Sequence, residues 1–137
     1  MIREKVFAVH GSPVSRDDYI MDLMDALNSF QHLPDKSIQV CLFGHSHIPA
    51  VFSDRGASEE SAGPGKHNLG ARNRHFLNPG SVGQPRDGDP RASFAVLDTE
   101  EPSFEIIRVA YDVQAAAQAV LKAGLPQFLA ERLQVGA

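Results

Sequence analysis

Val40-Cys41-Leu42-Phe43-Gly44-His45-Ser46-His47 is the stretch that decides the fold. Its four leading apolar residues suit a strand buried on both faces. With Ile38 the run covers residues 38–43, and it stops at Gly44. Two histidines follow at once. The same arrangement occurs earlier, where Val6-Phe7-Ala8-Val9 ends at His10-Gly11-Ser12-Pro13. If these strands are neighbours in one sheet, His10, His45 and His47 gather at one sheet edge, where α/β folds place their chemistry. An i, i+2 pair in extended chain points both side chains the same way, so His45 and His47 are expected to face one site together. Gly11 and Gly44 leave room for backbone to approach it. Neutral imidazole suits divalent Mn, Fe, Zn or Ni. A lone histidine would read as a surface or core residue. A His-x-His pair after one buried strand, with a third histidine after another, reads as metal ligands. His32 and His67 lie in polar context and read as solvated, and His75 reads as structural.

Working outward, Ser15 is placed to cap a helix, with Asp17 and Asp18 in its first turn. Ile20, Leu23, Met24 and Leu27 follow at helical spacing, which predicts an amphipathic helix over residues 16–30. Pro34-Asp35 marks a turn, and Ala50-Val51-Phe52 starts a third strand. Residues 54–72 are small, polar and Gly-rich, which reads as a flexible surface excursion. His75-Phe76-Leu77 is a brief strand entering the turn Asn78-Pro79-Gly80-Ser81. Residues 92–97 and 104–109 form an antiparallel pair around a turn at Glu100-Glu101-Pro102. Asp112 caps an Ala-rich helix with Val113, Ala116, Ala117 and Val120 as its buried stripe, ended by Gly124. Pro126 opens a last short helix with Phe128, Leu129 and Leu133. Neither a repeat nor a second domain is visible, so residues 1–137 read as one domain.

The 137 residues are 42% apolar, enough for one globular core. A net charge of -4 argues against a nucleic-acid-binding surface. The apolar runs are far too short for a membrane span. Met1-Ile2-Arg3-Glu4-Lys5 is charged and leads straight into a strand-like run, so no signal peptide is expected. The single cysteine, Cys41, cannot form an internal disulfide, which points to a reducing cytoplasm. Its apolar neighbours make it a buried core thiol.

Val9-His10-Gly11-Ser12, then Gly44-His45-Ser46-His47, then Asn78-Pro79-Gly80-Ser81-Val82-Gly83-Gln84-Pro85-Arg86 resemble the later motifs of calcineurin-like metallophosphoesterases. The resemblance is to the small prokaryotic phosphodiesterase and diadenosine-tetraphosphatase-like branch, where the run continues through a segment like Asp87-Gly88-Asp89-Pro90-Arg91-Ala92-Ser93. It spans the chain from Val6 to the last helix. It implies an α/β fold: a partial β-sandwich flanked by helices, the C-terminal half of an αββα four-layer domain. It implies hydrolysis of phosphate esters by two divalent metals (Mn, Fe, Ni or Zn), with His10 and His45 on one and His47 on the other. Two cations about 3.5–4 Å apart can share a hydroxide and clamp phosphoryl oxygens.

The family's early motifs, Asp-x-His, Gly-Asp-x-x-Asp and Gly-Asn-His-(Asp/Glu), do not occur here. Gly88-Asp89 is the only Gly-Asp, and Ala92 stands where the second aspartate belongs. In the family those motifs supply the bridging carboxylate, further ligands, the proton-donor histidine and the first strands. The expectation is a C-terminal fragment, inactive alone, that associates with itself or needs an N-terminal segment. Two other readings stay open. One is a non-catalytic remnant or interaction module. The other is a single zinc on His10, His45 and His47 with an open water position.

Asn78, Gly80 and Ser81, with Gly11 and Gly44, read as a supporting loop beneath the metals. Arg86 and Arg91 are candidates to hold a substrate phosphate, since guanidinium matches phosphate oxygens. Asp87-Gly88-Asp89 reads as a hairpin turn, and Ser12 as a turn residue without a Ser-His-Asp context. The expected partner is a small phosphate-ester substrate, with no membrane or nucleic acid.

Overall fold

The computed structural model describes residues 6–70 and 72–137. The charged start, Met1 to Lys5, and Ala71 lie outside the described residues. In chain order the elements are β1 (Val6–Ala8), α1 (Leu23–Ser29) with a 3-10 turn at Phe30–His32, β2 (Val40–Leu42), β3 (Ala50–Ser53), β4 (Gly65–Asn68), β5 (His75–Asn78), β6 (Ala92–Asp98), β7 (Ser103–Val109), α2 (Val113–Lys122) and α3 (Gln127–Val135).

Period-2 alternation along the central strands sets the layers. The first sheet runs β1-β2-β5-β3, with β1, β2 and β5 parallel and β3 antiparallel to β5. On its inner face Val40, Val51 and Leu77 meet Leu69, Phe104 and Ile106 of the second sheet side. On its outer face Cys41, Phe43, Phe52 and Phe76 meet Ile20, Ala26 and Phe30. Strands buried on both faces carry no polar alternation, which is why residues 40–43 read as a continuous apolar run. The second sheet runs β4-β7-β6, all antiparallel. The result is a helix layer, two stacked sheets, and a helical hairpin α2–α3 after β7, as a flanked β-sandwich requires. Phe30 and Phe76 meet edge to face at 4.7 Å across the helix–sheet seam. Truncating a buried ring such as Phe76 costs about 3–5 kcal/mol.

Four expectations are corrected. The first helix starts at Leu23, seven residues later than Ser15 and its spacing suggest. Its N-cap is Asp22, whose carboxylate accepts from the Asp25 amide. Residues 12–18 instead curl over Gly11: a Cβ there would stand 2.6 Å from the carbonyls of Arg16 and Asp18. Ser12 Oγ holds this loop by donating to Asp18 (2.7 Å) and accepting from the Val14 and Ser15 amides, so the turn role read for it stands.

Residues 54–72 are not a plain excursion. They contain β4, which pairs with β7, and they bury Ala62 and Leu69 in the core. Glu59 forms an isolated antiparallel bridge with Val51. Small and polar residues hid a strand there, because β4 sits on a sheet edge with its Lys66 and Asn68 exposed. His67 in that strand is not merely solvated. It is half-buried, with Nδ1 3.1 Å from Glu59 Oε1 and Nε2 2.8 Å from the Gly63 carbonyl oxygen.

Asp87-Gly88-Asp89 is not a hairpin turn either. It lies in the connection from β5 to β6, which crosses between sheets. Asp87 pairs with Arg108 of β7, both nearly buried, and the Gly88 amide donates to the Gly136 carbonyl (2.9 Å) at the end of α3. The other elements match expectation. The β6–β7 pair has Leu97 opposite Phe104, and Asp112 caps α2 at the Ala115 amide. Ala117 is buried and Gly124 ends the helix at φ +72. His32 is exposed, and His75 is buried at 3% exposure.

Strands β1 and β6 are the outer strands on one side of the sandwich. Between them opens an apolar cavity of about 260 Å³, lined by Val9, Leu42, Phe43, Ala95, Leu97 and Phe104. None of the described helices is long and apolar enough to cross a membrane.

Candidate metal centre

Because β1 and β2 are adjacent and parallel, with Ala8 opposite Leu42, their C-terminal ends deliver His10 and His45 to the same rim. The Gly44 amide donates to the His10 carbonyl (2.9 Å), which extends the pairing into the site. His10 Nε2 and His45 Nδ1 stand 2.9 Å apart, with ring centroids 4.7 Å apart. Tyr19, which follows the loop that curls over Gly11, lies tilted against His45 with ring centroids 4.1 Å apart.

The backbone of the His-Ser-His segment is not extended. His45 and His47 both take positive φ, +66° and +62°, the only non-glycine residues described that do so. A left-handed residue with a Cβ costs roughly 1–2 kcal/mol, so something must hold the turn. Asn78 does so. It is fully buried; its Nδ2 donates to the Gly44 carbonyl (3.2 Å) and Ser46 Oγ (2.9 Å), and its Oδ1 accepts from the Gly80 amide (2.9 Å). Gly80 has φ +82°, and a Cβ there would lie 2.8 Å from Ser93 and Pro49 side-chain atoms. Ser81 Oγ accepts from the Gln84 amide (2.9 Å), and its carbonyl accepts from the Ser93 amide (2.9 Å). Asn78, Gly80 and Ser81 thus brace the turn that carries the histidines.

His47 is turned to a different partner. Its Nδ1 is 2.7 Å from the Gln84 carbonyl oxygen, so Nδ1 carries the proton and Nε2 keeps a lone pair. Burial, then the nearby Arg86 charge, pushes its pKa below the ordinary histidine value, against the raising effect of that hydrogen bond. The fields of His45 and His10 also reach it. The site is therefore a touching pair plus one. Among the described residues no three His, Cys, Asp or Glu side chains converge as a metal-binding group, so the single three-histidine zinc module finds no preformed site.

The donors fit a divalent ion in part. Two nitrogens sharing one tetrahedral ion at about 2.0–2.1 Å stand about 3.3 Å apart, so the His10–His45 pair needs to open by only a few tenths of an ångström. His47 presents a free lone pair, fixed by a backbone carbonyl. All three donors are neutral, and none brings charge to offset a dication.

Of the two arginines singled out, Arg91 is engaged: its Nε and Nη2 bind the Asp89 carboxylate, which they hold at a pKa of about 2. Arg86 is the one near the histidines. Its Nη2 donates to Gln84 Oε1 (2.9 Å), its amide donates to the His47 carbonyl (3.3 Å), and its buried Nε has no partner among the described residues. Two residues of the site, Gln84 and Tyr19, were not foreseen. Gln84 sits inside the quoted Asn78–Arg86 run, so its place was marked though not its role. Tyr19 carries no local signal, since only the folded loop gives it a place. Cys41 is buried in the core, and burial pushes its thiol up to about 12.

The calcineurin-like phosphoesterase superfamily domain model matches residues 2–102. The chain belongs to that family. It is 44% identical over 93 residues to the uncharacterized protein MJ0912 of Methanocaldococcus jannaschii, covering 68% of this chain and 37% of that one. It superposes on the crystal structure of a metallophosphoesterase from Sphaerobacter thermophilus with a TM-score of 0.88 at 32% identity, covering all of this chain and 57% of that one. A hypothetical protein, PH1004, from Pyrococcus horikoshii shares the fold alone, with a TM-score of 0.70 at 22% identity over 96% of this chain and 46% of that one. The chain thus spans between about a third and three-fifths of the length of these relatives.

Proposed function

We propose that this chain supplies one side of a metal-dependent phosphoesterase centre, with His10 and His45 holding one divalent ion and His47 a second. The observation that carries the reading is the 2.9 Å approach of His10 Nε2 to His45 Nδ1 at the end of two adjacent parallel strands, beside a His47 whose tautomer leaves Nε2 open. When bound, such ions polarise the phosphoryl oxygens and lower the pKa of a coordinated water. This chain's own residues do the positioning. Asn78 fixes the left-handed turn, the Gln84 carbonyl orients His47, and Gln84 Oε1 holds the Arg86 guanidinium beside it. In this reading Arg86 takes a non-bridging phosphate oxygen and absorbs developing negative charge.

Three neutral imidazoles are too few ligands for a stable binuclear centre, so full activity requires carboxylates from polypeptide beyond these 137 residues. The test is to join this chain to the part of the Sphaerobacter thermophilus metallophosphoesterase that lies outside the matched region, and to assay a generic aryl phosphodiester with Mn. Turnover that collapses with His45→Ala or His47→Ala supports the reading. An assembly that folds and is inactive with Mn, Zn, Fe and Ni contradicts it and favours a non-catalytic remnant.

A further inference from the structure

A groove of about 1000 Å³ opens at the end of the first sheet opposite the histidines. Its place follows from topology: Gln39 precedes β2, Arg74 precedes β5 and Asp54 follows the antiparallel β3, so all three stand at one end, while His10 and His45 follow β1 and β2 at the other. Lys36, Arg55, Arg72 and Arg74 line it against one carboxylate, Asp54. That is an excess of three positive charges in a chain whose net charge is -4. Clefts of one sign on low-dielectric walls concentrate counter-charged ligands.

The cations stand on cross-braced backbone. The Asp54 amide donates to the Arg74 carbonyl (3.0 Å), and the Asp54 carboxylate accepts from the Arg74 amide (Oδ1, 2.8 Å) and from Arg74 Nε (Oδ2, 3.0 Å). The Arg55 carbonyl accepts from both Ser53 Oγ and Asn73 Nδ2 at 2.6 Å. The Asp54 carboxylate is therefore already committed, while Arg74 Nη1 and Nη2 have no acceptor among the described residues. The Arg74 guanidinium lies 4.8 Å from the centre of the Phe30 ring, and Leu33, Pro34 and Ile38 continue an apolar floor beneath the charged rim. A cationic rim over an apolar floor matches a ligand with a flat apolar group joined to phosphates. We propose that this groove is a second ligand site, separate from the histidine centre, that takes a nucleoside phosphate, with the phosphates on Arg55, Arg72 and Arg74 and the base on the Leu33–Ile38 floor.

The test is calorimetric titration of the full chain with ADP in EDTA, which keeps the histidine centre free of metal. Saturable binding is expected, weakened about tenfold or more by the exposed double substitution Arg55→Glu/Arg72→Glu and also weakened by Lys36→Glu. It should survive His45→Ala/His47→Ala, and ADP should bind tighter than pyrophosphate because only ADP uses the floor. Absence of saturable binding, indifference to the charge reversals, loss in the histidine variant, or equal affinity for pyrophosphate would each overturn the proposal.

Discussion

Asn78 is the side chain on which the histidine turn depends. The side chain is fully buried and makes three hydrogen bonds, and removing one partner of a buried bond leaves the other without water to replace it. Asn78→Ala is expected to lower the unfolding free energy by about 1–3 kcal/mol in urea melts. Asn78→Asp should cost at least as much, since it keeps the acceptor for Gly80 but sets a carboxylate against the Gly44 carbonyl. Equal stability of all three proteins would remove Asn78 from this role. His75 gives a pH signature. Burial lowers its pKa below the ordinary 6.5, opposed only by the Asp54 charge, so it is neutral when folded. The unfolded chain then binds more protons in acid. Stability is full above about pH 6.5 and falls as pH drops towards the folded value. In His75→Gln that part of the loss should vanish from chemical melts at pH 7 and pH 5; an unchanged slope would show that other groups carry it.

At the scale of elements, the braced turn and the late helix start make separable predictions. Gly80→Ala forces a Cβ to within 2.8 Å of Ser93 and Pro49 at a φ of +82°, so it should destabilise by about 1–3 kcal/mol and loosen the turn. Asp22→Ala removes the observed cap and should cost about 1 kcal/mol. Ser15→Ala, at the cap read from sequence, should stay within about 0.5 kcal/mol. The opposite ranking would put the helix start back at residue 16. The contrast also shows what sequence can and cannot carry. Residues 40–43 were legible as a strand because burial on both faces leaves an uninterrupted apolar run, and residues 104–109 because they alternate against a partner. The helix start was not legible, because Ser15 is as good a cap as Asp22 and only Gly11, pressed under the Arg16 and Asp18 carbonyls, excludes it. β4 was hidden because an edge strand of Gly, Lys, His and Asn has no apolar face to read. In the site, the three histidines were marked by strand ends. Their pair-plus-one division had only the family resemblance behind it, because the left-handed φ values of His45 and His47 break the i, i+2 rule of extended chain.

For the whole molecule, the side of the sandwich bounded by β1 and β6 is an uncovered one among the described residues. Among the described residues both strands have one unpaired edge, the apolar cavity opens between them, and Val6, Phe94 and Val96 stand exposed at 42%, 40% and 50%. Unpaired edges and uncovered apolar surface drive association. The chain alone should sediment as a dimer or larger species at micromolar concentration and bind an apolar dye, whereas a compact monomer that binds none would contradict this. The proposed centre stands on the histidines as metal donors, and nitrogen-15 spectra of the imidazole rings during a Zn titration of the joined assembly, with the remaining ligands supplied, read that most directly. Coordination shifts are predicted at Nε2 of His10, Nδ1 of His45 and Nε2 of His47, with His32, His67 and His75 unmoved. Shifts confined to those last three, or none at any ring up to saturating Zn, would contradict it.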